Sequence, residues 1–273
     1  MSLATTIHAP DPAAFDALAE TYDNIFTESR VGQAQRAIVW REMARHFRPG
    51  QRILEINCGT GADALHLAQR GARVVACDIS AKMIRAARHR LAGEGLASSV
   101  EFRVLPTESI CVLNEERPFD GALSNFAGLN CAADVSAVAS DLSRLLKPGA
   151  KLVVCVFGRW CLGEILWYLR RGNWHKALRR VRGKTRRACL SSGAAVEVRY
   201  PSIRDLKRAF APHFLLEEWQ GVGIAVPPSY LEPWAARHPR AFRAAARFDS
   251  RFSHLPLVKA LADHVLLTFE RTG

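Results

Sequence analysis

Short apolar segments alternate with amphipathic segments along most of this chain. Apolar runs at 52–56 and 74–78 are each followed by a segment in which apolar side chains recur every three or four residues. A short apolar run bounded by turn residues is typical of a buried strand, whereas a repeat near 3.6 is typical of a helix. The alternation predicts β-α-β units, and hence an α/β fold built on a mostly parallel sheet.

The same pattern places further elements before and after these two strands. Two helices are predicted ahead of the first strand, one starting at the capping pair Asp11-Pro12 and one at 31–47. The segment 183–193 begins and ends with glycine and is predicted to be a mobile loop. Later helices are predicted after Ser80 and at 135–146, 203–210 and 235–252. Further strands are predicted at 100–105, 119–126, 151–157, 213–219 and 263–270, with a short extra strand at 196–200.

The first strand breaks into a glycine loop, and the second strand ends on a carboxylate. Gly59 and Gly61 follow the run at 52–56, and Asp78 closes the run at 74–78. Glycine lets a ligand approach the main chain closely because it has no side chain. An acid at the tip of the second strand is placed to accept hydrogen bonds from ribose hydroxyls. The unit therefore predicts a nucleoside-binding site.

Glu55 narrows the choice of nucleoside. The glycines and Ala64 also fit the dinucleotide fingerprint, but a carboxylate just before them would repel a pyrophosphate. Glu55 instead suits a ligand that has no phosphate and carries a cationic sulfonium or ammonium group, such as S-adenosylmethionine. An incidental glycine turn is less favoured, because both acids and the glycines fall at matching spacings.

A known enzyme family has this arrangement. The run Leu54-Glu55-Ile56-Asn57-Cys58-Gly59-Thr60-Gly61 resembles the first motif of class I S-adenosylmethionine-dependent methyltransferases, and Asp78 resembles their second-strand acid. The resemblance covers most of the chain and is closest to the small-molecule and quinone-type group. It implies a doubly wound, seven-stranded, mostly parallel sheet with an antiparallel terminal strand. The strands at 213–219 and 263–270 would pair at its edge, and helical insertions would form a lid.

The resemblance also implies which residues bind the cofactor. Relatives carry an aspartate after the third strand that accepts from the adenine amino group, whereas this chain has Pro106-Thr107-Glu108. Tyr22 is expected to cover the methionine end of the cofactor, the alternative being an aromatic side chain in the core. The predicted cofactor-binding residues are Tyr22, Glu55, Asn57, Cys58, Gly59, Gly61, Asp78, Ile79, Met83, Thr107, Glu108 and Asn125.

The methyl acceptor is expected beyond the carboxyl end of the fourth strand, where ligands of open α/β sheets bind. Asn125 stands where amino-group methyltransferases carry Asn-Pro-Pro-Tyr, but no prolines follow it, so adenine and glutamine methylation are disfavoured. Asn125 and His175 are the candidate catalytic residues, with packing, capping or a surface position as the alternatives. The predicted residues of the acceptor pocket are Phe126, Asn130, Trp160, Trp167, Tyr230 and Trp234.

Composition limits the remaining possibilities. The chain has 273 residues, of which 49% are hydrophobic, and this suffices for the core of one domain. No run approaches the roughly 20 apolar residues that a membrane span needs, and the N-terminus lacks the pattern of an export signal. Seven scattered cysteines form no CxxC or Cys/His cluster, which predicts free thiols, no metal site and a cytoplasmic location.

We expect a single domain over 1–273. Its N-terminal helices at 1–50 would cover the cofactor, and 51–158 would form the cofactor-binding core. A lid insertion at 159–200 and the rest of the sheet at 201–273 would follow, the latter with a second insertion at about 227–262.

Net charge is +12, and the segment 159–187 accounts for much of it, with ten Lys/Arg, one acid and several interleaved Trp and Leu residues. This composition predicts helices with one apolar-aromatic face and one basic face. Three roles remain open: a lid over an apolar acceptor, peripheral contact with an anionic membrane, and binding of RNA phosphate. The position favours the lid, and nucleic acid is the least favoured partner. A packed insertion with a solvated charged face is the alternative without function.

The leading interpretation is transfer of a methyl group from S-adenosylmethionine to a small, apolar or aromatic acceptor through oxygen, nitrogen or carbon. Such an in-line displacement needs positioning and exclusion of water more than it needs reactive protein groups. One alternative is an NAD-dependent oxidoreductase. Another is a basic membrane- or RNA-binding protein with a vestigial cofactor pocket.

Overall fold

The computed structural model describes residues 11–182, 185–189, 195–256 and 258–273. The strands are β1 Arg52–Ile56, β2 Arg73–Asp78, β3 Val100–Val104, β4 Phe119–Ser124, β5 Leu146–Phe157, β6 Thr185–Cys189, β7 Ala195–Arg199, β8 Phe214–Val222 and β9 His264–Arg271. The α-helices are α1 Pro12–Leu18, α2 Arg30–His46, α3 Ala62–Gln69, α4 Ala81–Ala92, α5 Val135–Leu145, α6 Leu162–Leu169, α7 Trp174–Ala177, α8 Arg179–Arg182, α9 Ile203–Phe210, α10 Glu232–Arg237 and α11 Pro239–Phe252.

Seven strands form one sheet in the order β3-β2-β1-β4-β5-β9-β8. The first five pair in parallel, and β9 runs antiparallel to both of its neighbours, which confirms the predicted mostly parallel sheet with an antiparallel final strand. The reversed direction of β9 places its first residue, His264, opposite Phe157, the last residue of β5. The amino end of β9 therefore lies at the same sheet edge as the carboxyl ends of the parallel strands.

Helices cover both faces of the sheet. On one face, Leu142 of α5 and Phe210 of α9 are fully buried in a core formed with β1, β4, β5 and β9. On the other face, Val39 of α2 and Ile84 of α4 belong to a second core that includes α3. Because each parallel strand is covered on both sides, its side chains form nearly continuous apolar runs, and these runs made the strands visible in the sequence.

The two predicted N-terminal helices precede the sheet. Asp11 caps α1 by accepting a hydrogen bond from the Ala13 N–H (2.9 Å), and Ser29 caps α2 by accepting from the Gly32 N–H (2.9 Å). Between them lies a π-helical turn at Asp23–Thr27, which the sequence pattern did not indicate. Tyr22 stands at the start of this turn and faces the carboxyl ends of the strands.

The segment 159–200 contains more than the predicted helices. After α6, α7 and α8, strands β6 and β7 pair antiparallel as a hairpin. The predicted strand at 196–200 is present one residue earlier, as Ala195–Arg199, whereas the predicted loop at 183–193 is wrong for Thr185–Cys189. That strand escaped prediction because its sequence does not alternate between apolar and polar residues. The rest of the predicted loop, 183–184 and 190–193, lies outside the described residues.

Candidate active site

A cavity of about 450 Å³ opens at the sheet edge where β1, β2, β4 and β5 end and β9 begins. The N-terminal helices, the segment 159–200 and the loop before α10 also contribute to its lining. Twelve residues predicted for the cofactor site or the acceptor pocket line this one cavity. They are Tyr22, Asn57, Cys58, Gly59, Asp78, Ile79, Met83, Thr107, Glu108, Asn125, Phe126 and Tyr230.

The glycine loop presents bare main chain to this cavity. Gly59 has φ +54°, and a Cβ added there would meet only the Tyr22 ring, at 3.9 Å. The open space beside Gly59 is thus available to a ligand. Its N–H donates to Asp78 Oδ2 at 2.9 Å, and the Ser80 N–H donates to Asp78 Oδ1 at 2.9 Å. These two bonds fix the carboxylate at the tip of β2 while each oxygen keeps a lone pair for a ligand.

Gly61, which was predicted to bind the cofactor, does not line the cavity. Its backbone has φ +74°, and an added Cβ would lie 2.7 Å from Ala87 Cβ and 3.2 Å from the Phe102 ring. Gly61 therefore allows α4 to pack closely against the loop that starts α3.

This packing gives a testable expectation for stability. Gly61→Ala should lower the free energy of unfolding by about 1–3 kcal/mol more than Gly95→Ala, because only the first substitution adds overpacking to the strain of a positive φ. Gly95 is the matched control, since it has φ +67° and nothing within 4 Å of an added Cβ. Urea denaturation of both variants measures the difference, and equal losses would refute the close packing.

Glu55 lies beneath the cavity rather than in its wall. The side chain is 1% exposed, and its Oε2 has no hydrogen-bond partner among the described residues. Burial, followed by the nearby charge of Asp63, raises the pKa of Glu55 well above its usual range. An unpartnered buried carboxyl oxygen next to the glycine loop fits a ligand that brings a positive charge or a hydrogen-bond donor.

The Asn57 side chain holds neighbouring strand ends together through hydrogen bonds. Its backbone adopts φ +59°, a conformation that asparagine tolerates better than most residues. Its Nδ2 donates to Thr107 Oγ1 at 2.6 Å, and its Oδ1 accepts from Ser124 Oγ at 3.2 Å. The side chain thus ties the end of β1 to the segments that follow β3 and end β4. An added Cβ on Gly128 would lie 2.3 Å from Asn57 Cβ, so a glycine is needed opposite it.

A buried ion pair that the sequence analysis missed supports the other side of the cavity. Arg36 Nη1 and Asp63 Oδ2 are 2.5 Å apart, and both side chains are 6% exposed. Trp40 Nε1 and Asn125 Nδ2 also donate to Asp63, at 2.6 and 2.8 Å. Burial opposes ionisation of Asp63, but the Arg36 charge and these donors outweigh it and lower its pKa. Arg36 lies three and seven residues before Val39 and Met43 on the buried face of α2, and this spacing was the available signal.

Asn125, predicted to have a catalytic and a cofactor role, uses both ends of its amide within the protein. In addition to its bond to Asp63, its Oδ1 accepts from the Phe126 N–H at 2.9 Å. The next two residues have positive φ, +46° for Phe126 and +69° for Ala127. Such strained conformations outside glycine persist only where surrounding contacts fix them, and here they turn the Phe126 ring toward the cavity.

The far end of the cavity is formed by the segment 159–200 and by β9. Arg180 of α8 is buried and donates to Glu164 Oε2 (2.9 Å) and Asp263 Oδ1 (2.8 Å), as well as to the main-chain oxygen of Asp263 (2.9 Å). Arg179 makes two further bonds to Glu164, both at 2.8 Å. Phe157 and Tyr200 lie beside these groups with ring centroids 5.9 Å apart. This end is therefore aromatic, with a charge-balanced cluster behind it.

Four other predicted residues lie away from the cavity. His175 is exposed on the short helix α7, and Trp160 is 44% exposed. Trp167 packs under the Arg171 guanidinium, 4.1 Å from its ring centroid. Trp234 packs against the small apolar cluster between α2 and α10. None of the four lines the cavity, and sequence spacing alone does not determine which side chains of a helix or loop do so.

Asn130 is fully buried and also lies outside the lining of the cavity. Its Nδ2 donates to the Arg199 oxygen at 2.6 Å, and its Oδ1 accepts from the Phe157 N–H at 2.9 Å. These bonds connect β7 to the end of β5. The structure thus gives Asn130 a bridging position under the acceptor end.

Residues that do line the far end were not predicted. His264 and Asp263 stand at the start of β9, and Arg180 and Tyr200 come from the segment 159–200. Asp263 and His264 were assigned only to a strand. The antiparallel pairing expected for that strand was the signal that could have placed its first residues at the site.

No helix among the described residues has the length and apolar character needed to cross a membrane. The same part of the chain has one group of three candidate metal ligands, Glu42, His46 and Glu218, which lies outside the cavity lining. Arg45 pairs with both acids of that group (2.8 Å each).

Comparison with known proteins agrees with the fold and the glycine loop. Residues 53–149 match the methyltransferase domain family. A demethylmenaquinone methyltransferase from Corynebacterium kroppenstedtii is 33% identical over 166 residues, which cover 58% of this chain and 65% of the relative. A tRNA 5-carboxymethoxyuridine methyltransferase from Escherichia coli K12 is 30% identical over 142 residues, which cover 50% of this chain and 54% of that protein.

A solved structure extends the similarity of fold over nearly the whole chain. The CcbJ methyltransferase from Streptomyces caelestis superposes with a TM-score of 0.64 at 13% identity, covering 96% of this chain and all of its own. The curated relatives, in contrast, are matched over less than two thirds of their length. The matched region contains the glycine loop and Asp78, and this favours a methyltransferase over the oxidoreductase considered from the sequence. Residues 53–149 thus carry a domain of the methyltransferase domain family, and the chain as a whole has the fold of a solved methyltransferase.

Proposed function

We propose that this protein binds S-adenosylmethionine in the cavity and transfers its methyl group to a small, apolar or aromatic acceptor. One observation carries the proposal. A bare main-chain patch at Gly59 and the fixed carboxylate of Asp78 line the same cavity as the aromatic side chains Phe126, Phe157 and Tyr200.

Each group suits one part of this cofactor. The Asp78 carboxylate would accept from the ribose hydroxyls, and the positive charge of the bound cofactor would favour the ionised form of Glu55, which is buried outside the cavity lining. Glu108 keeps Oε2 buried without a hydrogen-bond partner among the described residues, while its Oε1 accepts from the Ala133 N–H at 3.2 Å. That oxygen is a candidate acceptor for the adenine amino group, in the place where relatives carry an aspartate. Ile79 and Met83 would supply apolar contacts to the adenine ring.

The cofactor supplies an activated methyl group on a sulfonium, and this chain's residues would position the two reactants. Phe126, Phe157 and Tyr200 form an apolar wall that excludes water and holds a flat acceptor. The Arg36–Asp63 pair fixes Asn125 and, through it, the turn that carries Phe126. Correct placement of reactants accounts for a large part of the rate gain in displacements of this kind.

Thermal unfolding with added ligands tests the proposal. S-adenosylhomocysteine should raise the melting temperature because a ligand that binds only the folded state stabilises it. At 100 times its dissociation constant, the stabilisation would be about 2.7 kcal/mol. NADH should give no shift. A shift with NADH and none with S-adenosylhomocysteine would overturn the proposal.

The segment 159–187 is also a candidate for contact with an anionic membrane. Trp174 is 63% exposed and Leu166 is 53% exposed, and exposed Arg170, Arg171 and Lys176 lie near them in the chain. Exposed aromatic groups beside basic groups favour the surface of an anionic bilayer. Several curated relatives are named demethylmenaquinone methyltransferases, and a quinone acceptor for this protein would be in keeping with such contact.

Vesicle sedimentation checks this part of the proposal. The protein should sediment with phosphatidylglycerol vesicles at low salt and much less with phosphatidylcholine vesicles. Replacing Arg170 and Lys176 by Glu should make the free energy of vesicle binding less favourable by a few kcal/mol, since each basic residue near the surface contributes about 1 kcal/mol. Less of the double variant should therefore sediment with the vesicles. Equal sedimentation of the double variant and the wild type would rule out this surface.

A further inference from the structure

His264 lines the far end of the cavity, and the proposed positioning of the cofactor and acceptor does not use it. It is the first residue of β9 and is 3% exposed. Its ring stacks on Phe157, with centroids 4.7 Å apart and an angle of 23°. It also meets Phe126 edge-on, with centroids 5.4 Å apart. The imidazole is therefore held by two rings that line the same cavity.

The nitrogens of His264 have an unusual environment. Nδ1 is buried, lacks a hydrogen bond among the described residues, and lies 3.4 Å from Asp263 Oδ2. Asp263 itself is fixed by Arg180 at 2.8 Å and by Gln35 at 3.1 Å. Burial lowers the pKa of His264 to about 4, so the ring is neutral at pH 7. The nearby Asp263 carboxylate makes no hydrogen bond to the ring, but its charge would favour the neutral tautomer with the proton on Nδ1, which leaves Nε2 as a hydrogen-bond acceptor.

We infer that Nε2 of His264 accepts the proton of the methyl acceptor, and that the acceptor is an aromatic compound with a phenol-like hydroxyl. The inference rests on the proposed function and adds a residue and a substrate class to it. The two rings that hold His264 would stack with an aromatic acceptor, and Nε2 would accept from its hydroxyl. The Asp263 carboxylate, 3.4 Å from Nδ1, would favour the required tautomer through its charge rather than through a hydrogen bond.

The proposed methyl transfer conserves atoms and charge. An electron pair of the acceptor, either a lone pair on its oxygen or a π pair at the ring carbon that the hydroxyl activates, forms a bond to the methyl carbon. The sulfur–methyl bond breaks, and its electron pair stays on sulfur, which becomes a neutral thioether. The proton leaves the hydroxyl, or the methylated ring, for Nε2, and the resulting imidazolium later releases it to water.

The weak basicity of His264 is compatible with this step. A resting phenol is a much weaker acid than imidazolium, so the proton stays on the acceptor before reaction. The acceptor becomes far more acidic as the new bond to carbon forms and positive charge develops on it. A neutral base already in hydrogen-bond contact can then take the proton, and the Asp263 carboxylate stabilises the imidazolium.

Binding of an aromatic hydroxyl probe tests the inference without turnover. The probe is 1-naphthol, and the control ligand is 1-methoxynaphthalene, which has the same rings but no proton to donate. Both are titrated into the protein saturated with S-adenosylhomocysteine. His264→Phe should weaken binding of 1-naphthol about three- to tenfold, the loss expected for one hydrogen bond, and should leave binding of the control unchanged. Phenylalanine keeps a ring against Phe157 and Phe126, and His254→Phe is the matched control because His254 is exposed.

Two further readouts separate a proton acceptor from a structural residue. In ¹⁵N-histidine spectra, the Nε2 signal of His264, assigned by its loss in His264→Phe, should shift on addition of 1-naphthol and not of 1-methoxynaphthalene. Transfer of labelled methyl from S-adenosylmethionine to 1-naphthol should be lost in His264→Phe and His264→Gln while both still bind S-adenosylhomocysteine.

The outcomes are distinguishable. Failure of the wild type to bind S-adenosylhomocysteine would count against the proposed function. If the wild type binds S-adenosylhomocysteine, the proposed function stands. The role of His264 is then overturned if 1-naphthol does not bind, if 1-naphthol binds equally to wild type and His264→Phe, or if the Nε2 signal does not move.

Discussion

Replacing Arg180 by methionine is expected to lower the free energy of unfolding by about 3–5 kcal/mol, the usual cost of removing one partner from a buried ion pair. Arg180 is 5% exposed and holds Glu164 and Asp263, whose side chains are 1% and 4% exposed. Methionine keeps much of the volume but removes the guanidinium that pairs with Asp263, and it leaves Arg179 as the remaining cation on Glu164. Guanidinium denaturation at pH 7 measures the loss.

The loss should depend on pH in a definite direction. Burial raises the pKa of Asp263, but His264 and Arg180 outweigh it, so that the pKa lies below its usual value. An acid with a depressed pKa contributes stability above its unfolded pKa, near 4, and that stability disappears as pH falls through the folded value. The difference between Arg180→Met and the wild type should therefore be largest at neutral pH and narrow below about pH 4.

Arg170 provides the control for this substitution. It lies in the same basic segment but is exposed. Arg170→Met should change stability by no more than about 0.5 kcal/mol, as surface substitutions usually do. If Arg180→Met were as harmless as Arg170→Met, the segment 159–200 would not be anchored to the sheet through this cluster.

The second large effect is expected at Asp78. Asp78→Ala should weaken binding of S-adenosylhomocysteine by about 1.5–3 kcal/mol for each charge-assisted hydrogen bond to the ribose that is lost. This is roughly a tenfold to more than hundredfold increase in the dissociation constant for one such bond. Burial raises the pKa of Asp78, and bonds from the main-chain N–H groups of Ser80 and Gly59 partly oppose that rise. Isothermal titration calorimetry measures the affinity.

Asp120→Ala is the matched control for Asp78→Ala. Asp120 also accepts a main-chain hydrogen bond, from the Arg52 N–H at 2.8 Å, but it lies at the opposite end of the sheet. Its replacement should leave affinity for S-adenosylhomocysteine unchanged even if it lowers stability. Equal affinities of Asp78→Ala and the wild type would contradict the assignment of Asp78 to the ribose.

Local sequence features determined what could be predicted of the fold. The apolar runs of the parallel strands, the glycines of the first loop and the acid at Asp78 each act over a few residues, so the β-α-β unit was visible. The hairpin β6–β7 was not fully visible, because Thr185–Cys189 has three polar or charged residues in a row and no alternation. Likewise, the π-helical turn at Asp23–Thr27 has no simple sequence pattern.

The candidate site was predictable where its residues follow a strand and unpredictable where they meet across the fold. Gly59 and Asp78 belong to adjacent strand ends, whereas Arg36, Arg180 and His264 reach the cavity only through long-range packing. His175 was predicted to be catalytic because it follows Trp174 in a basic segment, but its side chain is exposed on α7. His264 was predicted only as part of a strand. The antiparallel direction of that strand brings its first residues to the site.

A crystal structure of the protein with S-adenosylhomocysteine would show directly where the cofactor binds. We expect ligand density beside Gly59, with both ribose hydroxyls in hydrogen-bond reach of the Asp78 carboxylate and the sulfur directed toward Phe126. A cavity that remains empty at saturating ligand, or a ligand bound elsewhere on the protein, would contradict this expectation.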